Sequence, residues 1–133
     1  MNKKSRGFTV VEIVFIVLVI SVACVLFFLQ KNSVTSVARD DQRKTAINAM
    51  YYSLEEVFYK TNGYYPSSID ETVLPSVDPA LFKDPDGIKI GQSGSSYRYE
   101  PVNCTDNKCK AYTLRTTLDN EADFVKTNKA NLD

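Results

Sequence analysis

The sequence predicts an α+β fold, a long N-terminal helix followed by antiparallel strands, and three observations predict it. Residues 8–29 form an apolar run carrying one charge, Glu12. No Gly lies between Gly7 and Gly63 and no Pro precedes Pro66, so nothing interrupts a helix from Phe8 to about Thr61. Farther on, residues 96–102 and 111–116 alternate with the two-residue period of strands.

The apolar run comes first. About 20 such residues are what a bilayer-spanning helix needs. An acid within one costs about 2.5–3.5 kcal/mol on insertion scales, so Glu12 calls for a reason. Lys3, Lys4 and Arg6 precede the run and should stay cytoplasmic, sending everything after Leu29 outward. A secretory signal would have a shorter apolar core with a small-residue cleavage site behind it. Here the small residue, Gly7, stands in front.

The Gly7-Phe8-Thr9-Val10-Val11-Glu12 box behind a short basic leader resembles the class III signal of type IV pilins and pseudopilins. The resemblance implies that a prepilin peptidase cuts between Gly7 and Phe8 and N-methylates Phe8. Glu12 then becomes the fifth mature residue and pairs with the terminal amine of a neighbouring subunit. The physics agrees, because an opposite charge offsets much of the cost of burying an acid. Further implied partners are identical or related subunits in a helical filament, a membrane platform protein, a cytoplasmic assembly ATPase, and the membrane before assembly. The expected location is a single-pass cytoplasmic or inner membrane with the C-terminal domain outside, then a surface pilus or a secretion pseudopilus. The expected division is a leader at 1–7, an assembly helix at 8–29, its amphipathic continuation at 30–62, and an extracytoplasmic region at 63–133.

Composition narrows the function. Charge is balanced at 16 basic and 16 acidic side chains, and loss of the leader leaves 13 against 16, with no basic stripe for nucleic acid. With no His in the chain, His-based catalysis and His metal ligation are excluded. No nucleophile–base pair, phosphate loop or carboxylate dyad appears, so no enzyme and no cofactor are expected.

Past Leu29 the helix turns amphipathic. Ile47, Met50, Tyr51, Leu54, Val57 and Phe58 recur at three- and four-residue steps, with Arg39, Asp40, Arg43, Lys44, Glu55 and Lys60 decorating the rest. Cys24 is read as a small residue facing lipid or a subunit. The helix should stop at Asn62-Gly63, Gly being favoured just past a helix end. The string from Phe58 through Asn62-Gly63-Tyr64-Tyr65-Pro66 is similar to the helix end of Gram-positive-type pilins and the major type II secretion pseudopilin. Residues 68–74 are expected to form a short Ser-capped helix. Residues 75–96 read as an irregular loop broken by Pro75, Pro79 and Pro85.

Asp84-Pro85-Asp86-Gly87 is a turn signature. It has a second reading, since Asp84 and Asp86 supply oxygens of the kind calcium takes, and some secretion pseudopilins bind calcium in a nearby loop. In the C-terminal part, facing Cys104 with Cys109 sets Pro101 opposite Tyr112, Tyr99 opposite Leu114 and Tyr97 opposite Thr116. The large side chains then share one face, and Arg98, Glu100, Thr113 and Arg115 the other, which supports a hairpin. In an exported domain a Cys104–Cys109 disulfide is expected, worth about 2 kcal/mol by chain entropy. Zinc would need ligands the chain lacks. Asn103-Cys104-Thr105 matches a glycosylation sequon, a short and common match. The Leu118-to-Phe124 stretch resembles the ending of pilin-like domains, and the polar tail from Lys126 is expected to fray.

The whole resemblance implies a small antiparallel sheet packed on the outer half of the helix. The implied function is a pilus subunit for adhesion, motility or DNA uptake, any of which a tyrosine-rich surface could serve. The alternatives are a type II secretion pseudopilin and, from another class, a signal-anchored extracytoplasmic binding protein.

Overall fold

The computed structural model describes residues 7–129, so Lys3, Lys4 and Arg6 of the expected leader lie outside the described residues. The fold is α+β: one long N-terminal helix and a small four-stranded antiparallel sheet packed on it. The chain divides into two units, Met1–Thr35 and Ser36–Asp133.

In the first unit, helix α1 (Val10–Tyr52) begins. Thr9 caps it: the Glu12 N–H donates to Thr9 Oγ1 at 3.3 Å, and the Ile13 N–H to the Thr9 carbonyl at 3.1 Å. This is the backbone half of a Ser/Thr-x-x-Glu capping box, with Glu12 at the third helical position where the helix dipole favours an acid. Ser21 donates to the Val17 carbonyl at 2.8 Å, which satisfies its hydroxyl without a partner outside the helix.

The second unit takes up α1 from Ser36. Beyond Tyr52 the helix widens into a π-helical turn at Ser53–Phe58 and closes with α2 (Tyr59–Asn62). Gly63 ends it as expected, at φ 73°, a left-handed conformation that glycine adopts without a Cβ penalty. Ala46, Ile47, Met50 and Leu54 form the inward stripe and meet Tyr97, Tyr112 and Leu114 of the sheet and Leu74, Val77, Phe82 and Ile90 of the loop. Burying each large apolar side chain of this kind stabilises by about 1.5–3 kcal/mol.

The helix departs from expectation in its charges. Asp40, Arg43 and Glu55, expected on the solvent side, are buried, and Val57, expected inside, is exposed. The stripe Ile47–Met50–Leu54 continues backwards by the same steps to Arg43 and Asp40, so those side chains lie on the packed face. The π-helical turn accounts for the rest: it admits one more residue per turn, turning Ser53, Leu54 and Glu55 inward together and Val57 outward.

Strands β2 (Tyr97–Thr105) and β3 (Lys108–Thr116) form the hairpin in the expected register, Tyr97 facing Thr116, Tyr99 facing Leu114 and Pro101 facing Tyr112. The strands run closer to the turn than the alternation indicated. Asp106 and Asn107, at φ 51° and 64°, make the two-residue connection alone, the conformation that suits a tight hairpin. Cys104 and Cys109 are joined as a disulfide.

Two strands were not foreseen. β1 (Tyr65–Pro66) and β4 (Phe124–Thr127) share the far edge of β3, β1 pairing at Lys108 and Cys109 and β4 at residues 113–116. Between them the Tyr112 N–H donates to Asn128 Oδ1 at 3.3 Å, so one side chain continues the ladder across the gap. The tail is therefore held, not frayed, from Lys126 to Lys129, and the expectation for residues 130–133 lies outside the described residues. Residues 68–74 form no helix: Asp70 accepts from the Thr72 and Val73 N–H groups at 2.8 and 2.9 Å and closes a single turn. The loop that follows holds a 3-10 turn (Pro79–Phe82) capped by Asp78.

Candidate functional site

Two groups of residues stand out, one in each unit. In the first, Gly7 and Phe8 precede the Thr9 cap in non-helical backbone, and both are exposed. A Cβ built on Gly7 would meet nothing within 4 Å. From Val10 onward the helix is long and apolar enough to cross a membrane, and none of residues 7–35 is buried within the chain. Glu12 is the one acid on that segment, and Cys24 a free, exposed thiol. A contiguous apolar surface of this extent marks a contact with lipid or with protein.

The second group fastens the C-terminal residues to the helix. Asp40 accepts from the Asp119 N–H at 2.7 Å and from the Asn120 N–H and side-chain amide, each at 3.0 Å. Arg43 bridges Asp40 at 2.9 Å and Asp119 at 3.1 Å, and Lys44 reaches Glu121 at 2.7 Å. About two turns before the helix end at Asn62, Glu55 accepts from Tyr112 Oη at 2.8 Å, from Tyr65 Oη at 3.1 Å and from the Lys129 N–H at 3.2 Å. The segment that resembled a pilin ending is thus the piece that Asp40 and Arg43 hold.

Burial by itself would raise the Asp40 carboxyl, but donation from Asp119, Asn120 and Arg43 outweighs it and lowers the pKa to about 2. The unfolded chain titrates near 3.8, so this stabilisation is complete above that value and is lost as pH falls towards about 2. Acid unfolding of the full chain in detergent, followed by circular dichroism, is expected to fall in that window. Asp40→Asn should remove this part of the acid dependence while leaving the neutral-pH fold intact. An unchanged acid limb in the variant would refute the assignment.

Asp84, one of the two aspartates open to a calcium reading, is buried and already engaged. It accepts from the Asp86, Ile88 and Ser96 N–H groups at 3.0, 2.9 and 2.8 Å. Burial pushes its carboxyl up, but those N–H groups hold it below the usual range. Asp86 pairs with Arg39. Among the described residues no group of three acids, Cys or His is placed to hold a metal ion. The turn itself forms as read, the Gly87 N–H donating to the Asp84 carbonyl at 2.8 Å.

Three of the eight tyrosines belong to the interior. Tyr65, Tyr97 and Tyr112 are fully buried, Tyr51, Tyr59, Tyr64 and Tyr99 are half-buried, and Tyr52 is exposed, so the tyrosine-rich surface is reduced to five rings. Comparison with family models, with curated proteins and with solved structures found no match to this chain.

Proposed function

We propose that this chain is a type IV pilin-type subunit, held in a membrane by residues 8–29 and then stacked through that helix into a filament. The observation that carries the reading is the helix from Val10, apolar and exposed through Leu29, with Glu12 as its one charge. Such a surface suits lipid before assembly and other subunits after it. An unpaired acid there suits a cationic partner, and cleavage before Phe8 would create one as a free amine. Gly7 supports the same reading from another side. The chain places nothing near its missing Cβ and does not hold it at positive φ, so its own packing does not require glycine. A peptidase that admits only a small residue before the scissile bond would require it.

The resemblance assigns Phe8 as the methylated terminus. It adds as partners a prepilin peptidase, an inner-membrane platform protein, an assembly ATPase and further copies of this or related subunits. The exported domain would lie outside the membrane, where its disulfide is stable. A type II secretion pseudopilin is the second reading, favoured by the small domain and the ordered Asp84-Pro85 turn.

The test is the intact mass and N-terminal sequence of the native protein and of two variants. Wild type is expected to start at N-methylated Phe8 and to be recovered from sheared fibres. Gly7→Glu should retain residues 1–7, whereas Glu12→Ala should be processed yet yield few or no fibres. Normal processing and fibres in both variants would overturn the proposal and leave an anchored binding protein in its place. Recovery of processed wild type only from cell envelopes would favour the secretion pseudopilus.

A further inference from the structure

Where the end of the helix meets the tip of the hairpin, the domain holds a cavity of about 540 Å³. That lies within the roughly 300–1,000 Å³ usual for small-molecule sites. Tyr59 and Tyr64 line it from the helix end, and Asn103, Thr105, Asp106 and Lys110 from the hairpin. Among the described residues, the side chains of those last four make no hydrogen bond or ion pair within the chain. Their donors and acceptors are free for a ligand.

The backbone is unusual at the same place. Strand pairing runs from Val102 opposite Ala111 to Cys104 opposite Cys109, and the intervening pair, Asn103 with Lys110, is missing. Asn103 has φ 54°. The left-handed residues Asp106 and Asn107 are explained by the hairpin turn, but Asn103 lies outside it. A non-glycine residue held there without a turn to require it is a pointer to function. The disulfide next to it and the two-residue turn fix this backbone firmly.

The aromatic wall is fixed as well. Tyr59 stacks on buried Tyr65 with ring centroids 4.6 Å apart, and Tyr65 does not itself line the cavity. Tyr64 packs edge-on against Phe58 at 5.7 Å, with Lys108 Nζ 5.1 Å from its centroid. Two lysines against one aspartate leave the cavity cationic.

We propose that this cavity binds an acidic saccharide of one or two rings. Phenol rings suit the apolar side of a sugar ring. An amide, a hydroxyl and a carboxylate suit neighbouring sugar hydroxyls, each of which both donates and accepts. Lys110 and Lys108 suit a sugar carboxylate. An inorganic anion would use neither the tyrosines nor this volume. The cavity lies wholly within the second unit.

Saturation-transfer NMR and calorimetry on the full chain in detergent test this, with digalacturonate and a hyaluronan disaccharide as probes and neutral digalactose and inorganic phosphate as controls. At least one acidic disaccharide is expected to bind saturably, about tenfold or more tighter than digalactose. Asn103→Gly keeps the left-handed backbone while removing the amide, and Lys110→Ala removes an exposed ammonium. Each should weaken binding about tenfold with no change in melting temperature. Failure of both acidic sugars to bind would overturn the proposal. So would equal binding of digalactose, equal competition by phosphate, or full affinity in both variants.

Discussion

Glu55→Leu is expected to destabilise the domain by about 3–5 kcal/mol, a large share of the 5–15 kcal/mol that holds a domain together. Leucine fits the buried position but accepts no hydrogen bond. The hydroxyls of Tyr65 and Tyr112 and the Lys129 N–H would lose their common acceptor inside the core. Each stranded donor costs about 1–3 kcal/mol. Glu55→Gln keeps one carbonyl oxygen for the tyrosines and should lose less than half as much. Urea unfolding of the full chain in detergent, read by near-ultraviolet circular dichroism, checks both. A Glu55→Leu variant within about 1 kcal/mol of wild type would show that the three donors find other partners.

The same tyrosines make the domain sensitive to alkali. Burial first, then Glu55 as neighbour and hydrogen-bond acceptor, pushes the Tyr65 and Tyr112 phenols well above the ordinary value of 10. Burial, with Asp84 adding to it, pushes Tyr97 up to about 12. A folded pKa above the unfolded one gives stability that is complete below pH 10 and lost as pH rises through the folded value. The domain is therefore expected to unfold cooperatively between about pH 10 and 12, the buried phenols ionising together at the transition. Tyrosinate absorbance from the buried rings should rise together with the loss of circular dichroism. A single gradual rise with the fold intact would contradict the burial of the rings.

How far the sequence could be read depended on which interactions were local. The helix, its stop at Gly63, the hairpin register and the cysteine pairing follow from periodicity and from residues close together in the chain. They were legible for that reason. The burial of Asp40 and Arg43 was partly visible too, since both continue the three- and four-residue steps of Ile47, Met50 and Leu54. Their charge argued against it, and only the partners at Asp119 and Asn120, about eighty positions away, make it tolerable. Glu55 was harder still, because the π-helical turn that points it inward breaks the period used to assign faces. β1 and β4 are short, and β3 alone makes them strands. The candidate cavity depends on Asn103 leaving the ladder, and no pattern of residue types announces that.

The placement of Glu55 also bears on the order in which the domain is built. Its acceptors are ready as soon as the helix forms, yet Tyr112 lies 57 positions onward and Lys129 74. Asp40 likewise waits for Asp119 and Asn120, 79 and 80 positions later. Contacts this distant in sequence close slowly, because the loop between them must be ordered before they form. A chain crossing a membrane from its N-terminal side would deliver the helix first and these fasteners last. Until Lys129 arrives, Glu55 on the inward face of the helix has not yet met all three of its donors. That discourages the helix from burying its core against anything but its own completed sheet.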